Sequence, residues 1–141
     1  MISQLTVYLL NKQGSLKDMA QALNAEDINM HALVIADTRD YGIIRIISDT
    51  PAKAAVVLTE AGFRAQIADV IAVRLANKPG SLAQLLAYCN DLDIDIQYGY
   101  CFQTATDQSI FVLKTDKPAA ELHIADGGFE VVSPDQLYAT E

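Results

Sequence analysis

The chain repeats itself. Asn11, Lys12, Gln13, Gly14, Ser15 and Leu16 recur as Asn77, Lys78, Pro79, Gly80, Ser81 and Leu82, 66 positions further on. The same displacement, read without gaps, pairs Leu5, Val7 and Leu9 with Ile71, Val73 and Leu75. It also pairs Ile28 with Ile94, Ile46 with Val112, and Gly62 and Phe63 with Gly128 and Phe129. A chance hexapeptide would not carry its flanks along. Two copies are too few for a solenoid, so the repeat implies a duplicated small domain: residues 1–67 as one unit, 68–141 as the second, with only a short tail beyond the second copy.

Inside a copy the hydrophobic period changes in a set order. Leu5, Val7 and Leu9 alternate with Gln4, Thr6 and Tyr8, the period of a strand with one buried face, which predicts a strand over residues 2–10. After the turn, Leu16, Met19, Ala20 and Leu23 fall at helical spacing, and Leu82, Leu85, Leu86 and Cys89 repeat that stripe. Residues 29–38 and 41–48 are rich in Ile, Val and Leu and flank the polar Arg39 and Asp40, which reads as a hairpin. Thr50 and Pro51 open a second helix, Gly62 closes it, and residues 63–67 return as a fourth strand. The order strand, helix, strand, strand, helix, strand, with right-handed crossovers, gives an α+β fold: two ferredoxin-like βαββαβ units with antiparallel sheets, both helices on one face. The join, residues 67–70, lacks Gly, Pro and Ser and is expected to hold the units in fixed relation.

The second sheet face needs an explanation of its own. Ile43, Ile44, Ile46 and Ile47, and again Ile110, Phe111, Val112 and Leu113, are apolar on both parities, while Tyr98, Tyr100 and Phe102 share one face. Strands of this kind expect cover on both sides. Either the bare faces pack together or two chains form a homodimer through them; ordinary exposed apolar surface is the alternative.

Composition narrows the function. With 51% hydrophobic residues the chain can fill two cores, which excludes wholesale disorder. A formal net charge of −8 would repel a phosphate backbone, so no nucleic acid partner is expected. No apolar run approaches the roughly 20 residues of a membrane-spanning helix, and residues 1–4 lack the basic flank of a secretory signal, so the expected location is cytoplasmic, with no membrane partner. Cys89 and Cys101 are too few for a disulfide framework and form no Cys-x-x-Cys pair; both are expected to be reduced and inert. His31 and His123 are far apart, and no His or Cys pair has zinc spacing, so neither metal nor cofactor is expected.

The repeated loop sits where a strand ends and a helix begins. There the first backbone N–H groups have no internal acceptor and the helix dipole presents partial positive charge, which suits a carboxylate. Gly14 and Gly80 permit positive φ or close approach of a ligand. The same loop also serves as a plain helix start, with Ser15 or Ser81 as N-cap. Phosphate-cradling glycine motifs are absent.

On these residues the chain resembles the ACT domain family, as a stand-alone tandem pair. The resemblance is carried by Asn77, Lys78, Pro79, Gly80, Ser81 and Leu82 followed by a helix and Asp93, Ile94, Asp95, Ile96, and by Asn11 to Leu16 followed by Asp27, Ile28, Asn29, Met30. It covers nearly the whole chain. It implies a regulatory module that binds an amino acid or similar metabolite between paired domains and acts on a separate metabolic enzyme. It implies ligand contacts at Asn11, Gly14, Ser15, Leu16 and Asn29 in copy one, and at Asn77, Pro79, Gly80, Ser81, Leu82 and Asp95 in copy two. Free amides after Gly14 or Gly80 would take the ligand carboxylate, and an Asn carbonyl or Asp95 its ammonium. Asp95 alternatively is a solvent-facing residue at the strand's start. A histidine found at the strand end in some relatives is Leu9 and Leu75 here.

Catalysis has little support. No nucleophile, base and orienting residue assemble from the sequence, with His31 in an apolar strand and His123 on a late helix. Asp91, Asp93 and Asp95 alternate as an acidic patch without the Gly and distal Glu of an EF-hand loop, which reads as a solvated turn. The same unit order occurs in acylphosphatases and metal chaperones, but the loops offer neither an arginine phosphate loop nor paired cysteines. The alternatives to a sensing module are a structural dimerisation protein without ligand and a small hydrolase.

Overall fold

The computed structural model describes residues 1–10, 13–37 and 41–138. Asn11, and the Arg39 and Asp40 turn of the first hairpin, lie outside them. The elements are β1 (Ile2–Leu10), α1 (Ser15–Ala25), β2 (Met30–Asp37), β3 (Tyr41–Ser48), α2 (Pro51–Glu60), β4 (Arg64–Ala76), α3 (Ser81–Asp91), β5 (Tyr98–Ala105), β6 (Gln108–Lys114), α4 (Ala120–Asp126), β7 (Glu130–Val131) and α5 (Pro134–Tyr138). Two compact units emerge, Ser3–Ala68 and the chain from Asp69 on together with Met1 and Ile2. The division falls inside β4, where two strands expected in succession are one strand of 13 residues.

The N-terminal unit orders its strands β2-β3-β1-β4. β3 runs antiparallel to both β1 and β2, with Leu5 opposite Ile46 and Leu33 opposite Ile46 on its other side. Its core joins Leu5, Val7 and Leu9 of β1 to Met19 and Leu23 of α1, Ile44 and Ile46 of β3, and Leu58 of α2. The C-terminal unit orders its strands β5-β6-β4-β7 by the same plan, β4 now standing where β1 stood. Its core joins Ile71, Val73 and Leu75 to Leu85, Cys89, Phe111, Leu113 and Ile124.

The helix ends repeat to the hydrogen bond. Asp27 (φ 57) follows α1 and Asp93 (φ 55) follows α3, each in the left-handed region. The amide of Ile28 donates to Leu23 O (3.0 Å) and that of Ile94 to Cys89 O (2.9 Å), while Asp27 and Asp93 donate to Asn24 O and Asn90 O. That is a Schellman stop, and Asp tolerates the left-handed site better than most residues. The acidic run 91–95 is therefore a helix stop and turn, and no group of three potential metal ligands occurs among the described residues.

Three expectations need correction. The displacement of 66 fails in the second strand. Leu33 and Tyr100 face Ile46 and Val112, which are equivalent, yet they lie one residue further apart. A bulge between Met30 and Ala32 in copy one and the later start of β5, at Tyr98, account for the slip, and a slip of one exchanges the faces. The helical stripes are also narrower than their spacing suggests: Leu16, Leu82 and Leu86 are 36–40% exposed, and the cores take only Met19 and Leu23, or Leu85 and Cys89. Finally, the short tail holds α5. Ser133 and Gln136 cap it reciprocally, Ser133 N donating to Gln136 Oε1 (2.9 Å) and Gln136 N to Ser133 Oγ (3.4 Å), with Pro134 first in the helix and Leu137 buried.

On β6, Ile110, Phe111, Val112 and Leu113 are all buried, so neither of its faces is bare. Tyr98, Tyr100 and Phe102 share the less exposed face of β5, opposite Gly99, Cys101 and Gln103. Among the described residues no helix is long and apolar enough to cross a membrane.

Candidate ligand-binding clefts

Each copy opens its first helix in the same way. Gly14 (φ 91) and Gly80 (φ 94) are the N-caps, and Ser15 and Ser81 are the first helical residues. The serines are thus not the N-caps, and a glycine there brings no side chain to the helix's first amides. Nothing lies within 4 Å of where a Cβ would stand at either glycine, so the positive φ, not crowding, calls for glycine. The first-turn amides have no intrahelical acceptor and carry the positive end of the helix dipole.

In the N-terminal unit this helix start adjoins a cavity of about 600 Å³, lined by Tyr8, Leu9, Leu10, Ser15, Tyr41, Gly62, Phe63 and Arg64. The Arg64 guanidinium lies over the Tyr8 ring, 5.0 Å from its centroid, and Tyr41 meets the same ring edge-on at 5.9 Å. Arg64 is exposed and Ser15 buried. In the C-terminal unit a cleft of about 280 Å³ is lined by Leu75, Ala76, Asn77, Lys78, Ser81, Leu82, Cys101, Phe102, Gln103 and Ser109. Asn77 is anchored to the β5–β6 turn: its backbone N donates to Asp107 O (2.9 Å) and its Nδ2 to Thr106 O (3.1 Å). With its amide nitrogen so engaged, its Oδ1 is the atom left to accept. The larger volume falls within the range usual for small-molecule sites, roughly 300–1,000 Å³, and the smaller lies at its lower edge.

A family model described as an ACT domain pair matches residues 1–136. The chain belongs to the ACT domain family. A solved structure of a Bacteroides thetaiotaomicron protein is 30% identical to this ACT pair, with TM-score 0.90, covering 97% of this chain and 95% of that one. The ligand-free regulatory subunit of aspartate kinase from Thermus thermophilus shares the fold at 14% identity and TM-score 0.68, over 89% of this chain and 90% of that one. Its counterpart from Thermus flavus does so at 15% identity and TM-score 0.62, over 87% and 88%. The comparison with curated proteins returns no match. ACT pairs are regulatory modules.

Within this ACT pair the residues singled out from the sequence divide. Ser15 lines the first cleft, and Asn77, Ser81 and Leu82 line the second. Gly14 and Gly80 stand at the helix starts, while Leu16 and Pro79 are exposed beside them. Asn29 and Asp95 are exposed and line neither cleft. Asn29 directly precedes β2, but Asp95 falls three residues short of β5. Sequence reasoning missed Tyr8, Tyr41 and Arg64 in the first cleft and Lys78, Cys101, Phe102 and Gln103 in the second. Aligning the copies carried the missing signal, because the positions of Tyr8 and Arg64 are held 66 residues later by Arg74 and Glu130.

The two thiols differ. Cys89 is buried in the core and Cys101 is exposed on the wall of the second cleft. Desolvation raises the pKa of both. At neutral pH a maleimide is expected to label Cys101 alone, more slowly than a free thiol and faster as pH rises toward its raised pKa. Cys89 should label only in denaturant, and mass spectrometry of the digested adduct checks both sites.

Proposed function

We propose that the chain is a cytoplasmic, homodimeric, metabolite-sensing module that binds an amino acid at its glycine-started helices and acts on a separate metabolic enzyme. One observation carries this reading. In a member of a regulatory family, both copies keep the same left-handed glycine N-cap, which brings no side chain of its own to the helix's first amides, beside a cleft. The proposed contacts are Asn11, Gly14, Ser15, Leu16 and Asn29 in copy one, and Asn77, Pro79, Gly80, Ser81, Leu82 and Asp95 in copy two. The amides and the serine hydroxyl would take a carboxylate, and Asn77 Oδ1 or Asp95 an ammonium group. The regulatory subunits of aspartate kinase that share the fold make a partner enzyme of amino-acid metabolism a natural one to try first.

The test is a thermal-shift screen over the amino acids. A ligand at about 100 times its Kd stabilises the folded state by roughly 2.7 kcal/mol, a rise on the order of 5–10 °C. Gly80→Ala places a Cβ in open space but at unfavourable φ, so it should weaken the shift while the protein stays folded. Absence of any shift across the amino acids and related metabolites would overturn sensing.

A further inference from the structure

The two copies are not chemically alike at the strand pair beside the first helix. In copy two, Arg74 on β4 faces Glu130 on β7 in register, and Arg74 Nε lies 3.3 Å from Glu130 Oε2. Arg74 Nη1 also donates to Gln108 Oε1 at 3.4 Å. The protein supplies both the cation and its carboxylate there. In copy one the equivalent positions are Tyr8 and Arg64: a phenol ring stands where copy two has its arginine, and an arginine where copy two has its acid. Asp107 of copy two is likewise replaced by Tyr41. No Asp or Glu is among the described residues that line the copy-one cleft.

From these residues we propose that the copy-one cleft binds the carboxylate of a small organic acid with an apolar body, Arg64 receiving the carboxylate that copy two provides from its own Glu130. The proposal rests on the ligand-sensing reading and deepens it by assigning one cleft and one chemical class. The cation–π contact with Tyr8 holds the Arg64 guanidinium beside the cavity, and its forked N–H groups suit a bidentate carboxylate. Ser15, only 8% exposed, lines the same cavity at the positive end of α1 and supplies a second donor. Leu9, Leu10 and Phe63 provide apolar wall for the body of the molecule. With no acidic side chain among the described residues of that wall, none of them offers an ammonium group a counter-charge. A 2-oxo acid is therefore bound at least as tightly as the corresponding amino acid, and an amide in place of the carboxylate is not bound.

Titration calorimetry on the full chain tests this with the aliphatic and aromatic amino acids, their 2-oxo acids and their amides. The expected result is binding of one or more carboxylates and none of the amides, weakened about 10- to 100-fold by Arg64→Gln, the loss of a charged hydrogen-bonding partner. Arg64→Lys, which keeps the charge and loses the planar fork, should fall between, and Glu130→Gln should leave the affinity unchanged. Arg64 is exposed, so these variants keep the fold, which an unchanged melting temperature without ligand verifies. Binding that survives Arg64→Gln but is weakened by Gly80→Ala overturns this site and leaves sensing standing. An amino acid bound far more tightly than its oxo acid overturns the chemical class, and no binding by any compound overturns both.

Discussion

Leu85→Ala is expected to lower the unfolding free energy by about 3 kcal/mol, within the roughly 2–5 kcal/mol usual for a buried leucine cut to alanine. Leu85 is fully buried in the core of the C-terminal unit, with Ile71, Val73, Cys89 and Ile124 as fellow members. The removed methyl groups lose their burial, and close-packed neighbours refill the space only in part. Leu82, one turn earlier on the same helix, is 36% exposed on the cleft wall, and Leu82→Ala should cost less than about 1 kcal/mol. Urea titrations of the two variants compare them directly. Equal losses would mean that the inner and outer faces of α3 are wrongly assigned. The contrast also bears on function, since Leu82 can be changed to alter the cleft without spending the stability of the unit.

The second large effect is expected at Gly99, where valine should cost about 2–3 kcal/mol. A Cβ there would stand 2.5 Å from Cζ of Phe111, 2.9 Å from its Cε2 and 3.0 Å from the carbonyl oxygen of Val112. The Phe111 ring covers the bare glycine backbone across the β5–β6 pair, an aromatic shielding a strand glycine. Phe111 is itself a core residue, so it cannot swing away without opening the interior. Shortening it should release the clash: Gly99→Val is predicted to cost less in a Phe111→Leu background than alone, a coupling that a double-mutant cycle measures. Additive losses would place the strain in the backbone at Val112 instead. Because β5 also carries Cys101, Phe102 and Gln103, the single variant should accelerate maleimide labelling of Cys101 by loosening the cleft wall.

Particular residues show how far the sequence could be read. The twin loop, the alternation of Leu5, Val7 and Leu9, and the proline after Thr50 each encode a local rule, and β1, α1 and α2 follow them. α5 was legible as well, because Ser133, Pro134 and Gln136 spell a capping box with proline in the first turn, but a repeat counted in whole copies left it as a tail. The one-residue slip between β2 and β5 was not legible. A bulge leaves composition and apolar content unchanged and shows only in which residues face each other. Of the candidate site, the glycine N-caps and the serines came from the repeated motif. Arg64, Tyr8 and Tyr41 did not, since they sit on three strands and meet only when the sheet forms.

The sequence by itself determined the duplication, the order of elements in each copy and the glycine at each helix start, because these depend on neighbours a few positions apart and on one displacement along the chain. Tertiary structure alone decided which leucines of a helical stripe are inside, which strand residues face each other, and which cleft is lined by an arginine. Such outcomes depend on register and on distances between strands that are remote in the chain. A pattern of residue types constrains them only loosely, and a shift of one residue is enough to exchange the faces of a strand.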